Sequence, residues 1–171
     1  MRATIPSLAL LLATPAAAMS ISSSDFADGA MLPVIHNYTR CGGENVSPAL
    51  SWKGVPKTAQ SLVLTMIDID VKPALWSHWV VVDLPPDSTG IAHGAKALPG
   101  GAHAVGSNFG DTFYDGPCPP EGSGVHHYRF TLWAMPRATT APAPNAAAAT
   151  LQAGLTQMAI DKATITGWVR R

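Results

Sequence analysis

At 171 residues the chain fits one domain of ordinary size with room for a sizeable core. Hydrophobic residues make up 47% and charged residues 13%, with 15 Gly and 15 Pro, which argues against disorder and for a turn-rich globular chain. The 11 basic and 11 acidic residues cancel and no Lys/Arg cluster occurs, so a nucleic-acid-binding or anionic-membrane surface is disfavoured.

Residues 1–18 carry the pattern of a secretory signal peptide. Arg2 gives the basic start, Ile5 to Ala13 the apolar stretch, and Ala16-Ala17-Ala18 a small-residue cleavage site before Met19. The apolar stretch is too short for a spanning helix and no later run is long enough, so an exported, periplasmic or secreted protein without a transmembrane segment is expected. The expected domain is then residues 19–171.

From Ser22 to Gly29 the chain is polar and turn-like, and Met31 to Tyr38 reads as a short strand carrying His36. Ala49-Leu50-Ser51-Trp52 is extended before breaks at Gly54 and Pro56. Ser61 to Ile67 is apolar on both faces and is expected to be a central strand. Trp79 to Leu84 is a second β-branched run, and the eleven residues from Asp68 to His78 favour an antiparallel, hairpin-like connection.

Asp87 to Asp115 reads as long loops holding His93 and His103, both expected on the periphery, and Phe109 is placed to line a neighbouring pocket. Gly116 to Gly124 is a stiff Pro/Gly loop delivering His126 and His127 to an alternating strand, Tyr128 to Met135. An Ala/Pro/Thr linker, 136–144, leads to a helix over Ala146 to Ile160 capped by Asn145, and Ala163 to Val169 closes as a strand. Strands first and a late helix predict a mainly-β sandwich with one or two peripheral helices.

Asp68, His78 and His126 are expected to meet in one pocket, where two imidazoles present N–H donors to a phosphate, sulfate or carboxylate and the carboxylate orients them. Cys41 and Cys118 form an even pair in turn-rich segments of an exported chain, which favours a disulfide over a metal or catalytic pair. That bridge would pin the Cys41-Gly42-Gly43 loop to the Pro-rich loop before His126. Two histidines and a carboxylate also match an iron or zinc ligand set, but no spacing puts two of them on one element. No Gly-x-Ser-x-Gly elbow supports a serine hydrolase.

Three separated motifs carry a resemblance: Asp68-Ile69-Asp70 with Pro73 after it, Trp76-Ser77-His78-Trp79, and Tyr114 to Pro120 followed by Gly124-Val125-His126-His127-Tyr128. Together they resemble the phosphatidylethanolamine-binding protein family, also called Raf kinase inhibitor-like proteins, and Gly42 to Trp52 is similar to its bacterial branch. The resemblance implies a β-sandwich with a small anion pocket lined by Asp68, His78, His126 and Tyr128, with Pro119 and Pro120 in the adjoining loop. Ile69, Lys72 and His127 depart from the family's motifs. The resemblance implies a small anionic or phosphorylated ligand and no cofactor or metal. It leaves open a regulatory protein that binds a protein partner such as a protease.

Overall fold

The computed structural model describes residues 18–71, 73–139, 142–143 and 146–171. The leader expected over 1–18, except its last residue, lies outside these, as do Lys72 and the proposed cap Asn145.

In chain order the strands are β1 (Ser20–Ser22), β2 (Leu50–Lys53), β3 (Ser61–Asp68), β4 (Trp76–Leu84), β5 (Gly90–Ile91), β6 (His103–Ala104) and β7 (Val125–Met135). A single α-helix among the described residues, α1 (Ala148–Met158), precedes β8 (Asp161–Arg170). They form a three-stranded sheet, β1-β2-β5, and a five-stranded sheet, β6-β4-β3-β7-β8, with every strand pair antiparallel. This is the expected mainly-β sandwich. No helix among the described residues is long and apolar enough to cross a membrane.

The central strand explains its own composition. All eight residues of β3 are buried because the five-stranded sheet is covered on both faces. Leu62, Leu64 and Met66 point into the sandwich core with Leu50, Trp52, Ile91, Phe130 and Leu132. Val63 packs on the other face with Val80, Val82 and Trp133 beneath Leu151 and Leu155 of α1. Thr65 is tolerated there because its hydroxyl accepts the Trp133 indole N–H at 3.1 Å.

Three expectations are corrected. Residues 31–38 form no regular strand: Met31 makes one parallel bridge to Trp168, and 3₁₀ turns follow at Val34–His36 and Thr39–Cys41. Pro33 at the N-cap of the first turn and the left-handed Gly42 (φ 81°) after the second account for this. The loop region 87–115 contains β5 and β6, each two residues long and too short to leave a periodic signal. The helix begins at Ala148, with Ala147 at the cap position and no side-chain cap, rather than at 146. Its apolar side, Ala148, Leu151 and Leu155, is the side buried.

Candidate functional site

Three neighbouring strands of the large sheet deliver the site. In the β3–β7 ladder Asp68 lies opposite Tyr128, so His126, two residues along β7, shares the face of Tyr128 beside the Asp68 carboxylate. The result is a buried pair with His126 Nδ1 2.7 Å from Asp68 Oδ2. The other oxygen of Asp68 accepts the Asp70 N–H at 2.9 Å, a local turn that fixes the carboxylate at the strand end.

His78 arrives by a different device. Met66 pairs with Trp79 but Ile67 pairs with Ser77, so β4 carries one extra residue at that point, and the extra residue is His78. A bulge of this kind bends a strand and re-aims the side chain it releases. The His78 ring then packs edge-on to Tyr128 and to Phe109, each with centroids 5.1 Å apart. Phe109 is held because Asn108 Oδ1 accepts from the backbone N–H and hydroxyl of Ser77 at 2.8 and 3.0 Å.

These groups line one pocket of about 450 Å³, with Asp68, Asp70, His78, His126 and Tyr128 on the sheet side. Trp76 and Phe109 form an aromatic wall, and Cys118, Pro119, Pro120 and Ser123 close the loop side. All six side chains expected to bind ligand are therefore brought together. Cys41 and Cys118 are joined in a disulfide with Cα atoms 5.5 Å apart, and Cys118 itself borders the pocket. His103 is exposed on β6, away from it.

The electrostatics revise one expectation. His78 Nδ1 lies 2.9 Å from the Asp115 carbonyl, which can only accept, so Nδ1 carries the hydrogen. Burial, the largest influence, pushes the His78 imidazole down to about 4, outweighing the hydrogen bond to Asp115 and the charge of Asp68. Neutral His78 thus keeps a lone pair on Nε2 and acts as an acceptor rather than a second charged donor. His126 differs in its partner, since Asp68 accepts from Nδ1 and an imidazolium there offers a second donor at Nε2.

Tyr128 supplies the remaining donor. Its hydroxyl is fully buried, has no hydrogen-bond partner among the described residues, and belongs to the pocket lining. Burial first, then the Asp68 charge, push its ionisation well above the ordinary tyrosine range, so it remains a neutral O–H. Asp70, half-buried, accepts from the backbone N–H and Nδ1 of His127, both at 2.7 Å. Those two bonds hold the Asp70 carboxyl below its usual range against the opposing effect of burial. The pocket therefore combines donors (Tyr128, and His126 in its imidazolium form), acceptors (His78, Asp68, Asp70) and apolar walls.

Asp115, quoted in the sequence motif but given no role, matters twice. Its carbonyl sets the His78 tautomer, and its buried carboxyl is pushed up to about 6 by burial and by the charge of Asp111. A carboxyl raised in the folded state contributes stability that is full below its ordinary value of 3.8 and lost as pH rises through about 6. His78 works in the opposite direction: its contribution is present above 6.5 and lost as pH falls toward about 4. Asp115→Asn removes the first term, so its melting temperature should fall more steeply than wild type between pH 6.5 and 4. The expected divergence is on the order of 2 kcal/mol, and parallel melting curves would contradict the assignment.

Comparison with known proteins agrees with this architecture. The family described as "Phosphatidylethanolamine-binding protein" matches residues 22–170. The chain is 40% identical over 157 residues to the "Putative lipoprotein LppC" of Mycobacterium tuberculosis, covering 90% of this chain and 75% of that one. It is 40% identical over 124 residues to the UPF0098 protein YbhB of Escherichia coli, covering 68% of this chain and 78% of that one. The crystal structure of E. coli YbcL, titled a new member of the mammalian PEBP family, superposes with a TM-score of 0.80 at 31% identity, covering 91% of this chain and 99% of that one. These similarities place the chain: it belongs to the phosphatidylethanolamine-binding protein family, in its bacterial branch.

Proposed function

We propose that the protein is an exported binding protein whose pocket takes a small phosphorylated head group, phosphate or phosphoethanolamine in type. The observation that carries this reading is the unpartnered Tyr128 hydroxyl in the same pocket as the Asp68–His126 pair. A buried O–H without an acceptor costs about 1–3 kcal/mol, which a ligand oxygen would recover. Phosphate oxygens accept from Tyr128 and charged His126, while a P–OH donates to His78. A ligand ammonium group suits the carboxylates of Asp68 and Asp70, and the Trp76 and Phe109 wall suits a short apolar extension. The reading requires no catalytic step.

Calorimetric titration with phosphate and phosphoethanolamine tests this. Both should compete for one site, with phosphoethanolamine the tighter because its second charge meets the carboxylates. Absence of binding by either ligand would reject the reading.

Export is supported by the leader pattern, by the disulfide and by the lipoprotein name of one relative. Strand β1 starts at Ser20, so cleavage after Ala18 leaves both sheets whole. N-terminal sequencing of the soluble protein from its native host should begin at Met19. A sequence beginning at Met1 would contradict both processing and export.

A further inference from the structure

A second group of ligand-type side chains lies outside the pocket, beside the three-stranded sheet. His36, at the end of the 3₁₀ turn Val34–His36, is 1% exposed. Its Nδ1 lies 2.7 Å from the Val46 carbonyl, so Nδ1 carries the hydrogen and Nε2 is the nitrogen left to engage a partner. That Nε2 is buried and has no hydrogen-bond partner among the described residues. It faces Asp25 Oδ2 across 3.8 Å.

His93, from the turn after β5, brings Nδ1 to 2.8 Å from the same oxygen, and the Ala49 N–H donates to it at 2.7 Å. The three ligand atoms all lie within 4.8 Å of one another. In neutral His36 a lone pair confronts a carboxylate across a gap too long for a hydrogen bond. That arrangement is relieved by a cation between them, and the 2.8 and 3.8 Å separations bracket the roughly 3.3 Å spacing of ligand atoms around a tetrahedral ion with bonds of about 2.0–2.1 Å.

We infer that Asp25, His36 and His93 form a site for one divalent first-row transition-metal ion of the zinc type, separate from the head-group pocket. Two imidazole nitrogens and one carboxylate oxygen suit zinc, cobalt or nickel better than magnesium or calcium. The supporting bonds are of the kind that orient metal ligands: a backbone carbonyl holds the far nitrogen of His36, and a backbone N–H holds Asp25. His93 ligates through Nδ1 once that nitrogen gives up its hydrogen. With the His93 side chain 47% exposed and that of Asp25 20% exposed, water has access to complete the coordination.

The test uses untagged full-length protein stripped with a chelator and titrated with Co²⁺, followed optically, and with Zn²⁺, followed by calorimetry. One ion per chain is expected, with the intense visible absorption of four-coordinate cobalt, bleached when zinc displaces it. His93→Ala, a change at a half-exposed side chain, should weaken binding roughly tenfold or more, the least expected given that supporting residues alone are worth 10–100-fold. His103→Ala should bind as wild type. Phosphate affinity of His93→Ala should be unchanged, which separates this site from the pocket. No stoichiometric uptake, or uptake insensitive to His93→Ala, overturns the inference; the result at His93 decides even if a His36→Gln protein fails to fold.

Discussion

Replacing both members of the bridge, Cys41→Ser with Cys118→Ser, is expected to lower the melting temperature by roughly 5–15 °C, the equivalent of about 2–4 kcal/mol. The bridge joins residues 77 apart in sequence, and closing so long a loop removes much of the freedom of the unfolded chain. The chain-entropy model sets the upper value at about 4.5 kcal/mol. The native contact itself should survive the change. Asn45 ties the two loops together, accepting from the Gly116 N–H at 2.7 Å and donating to the Tyr114 carbonyl at 3.0 Å, and the Tyr38 N–H donates to the Pro117 carbonyl at 3.0 Å. Gly116 passes so close to the His36 carbonyl that any side chain there would collide with backbone.

The loss should therefore appear chiefly in the unfolded state, as a larger denaturant slope, with the folded spectrum little changed. Because Cys118 borders the pocket, phosphate affinity should also fall, though modestly. Urea titration of the double variant against oxidised wild type checks this. A stability within about 0.5 kcal/mol of wild type would show that the bridge contributes nothing beyond what those hydrogen bonds already fix.

Much of this architecture was legible because burial on both faces leaves a mark in sequence. The unbroken apolar run in β3 announced a central strand, and the alternation from Tyr128 onward announced a further strand, whose place beside β3 only the fold shows. His126 was read as the end of the loop before Tyr128, and the place of Tyr128 in the pocket came from the family resemblance; the strand in fact starts at Val125, which puts both side chains on one face. What stayed hidden depends on contacts between distant residues. Nothing local to Trp76-Ser77-His78-Trp79 reveals that the ladder skips a residue at His78. The tautomer of His78 is set by a carbonyl 37 residues away. His36, read on a strand, and His93, read as a peripheral loop residue, gave no sign of a shared site because Asp25 and both rings come from three separate turns, and only the fold brings them within 4.8 Å.

The pocket should lose phosphate affinity unequally when its two histidines are changed. Asp68 orients His126, which in its charged form offers the anion a charge-assisted hydrogen bond. Such a bond is worth roughly 1.5–3 kcal/mol, so His126→Ala should weaken binding about 10- to 150-fold. His78 is held neutral in the free pocket, its imidazole pushed down to about 4, and accepts a single neutral hydrogen bond. His78→Ala should therefore cost about 0.5–1.5 kcal/mol, roughly 2- to 12-fold. Tyr128→Phe removes the unpartnered donor while keeping the buried ring, and should cost affinity without costing stability.

The pH dependence separates these roles. An anion favours the imidazolium form of the ring that donates to it, so phosphate binding is coupled to proton uptake at His126, and neutral His78 takes no part. The most direct measurement is calorimetric titration of phosphate at pH 8 and pH 6 into wild type, His78→Ala, His126→Ala, His93→Ala and His103→Ala. The predicted result is tighter binding at pH 6 for every protein except His126→Ala, whose affinity is low and changes only with the ligand's own ionisation. Equal affinity and equal pH response for wild type and His126→Ala would contradict a head-group pocket built on Asp68, His126 and Tyr128.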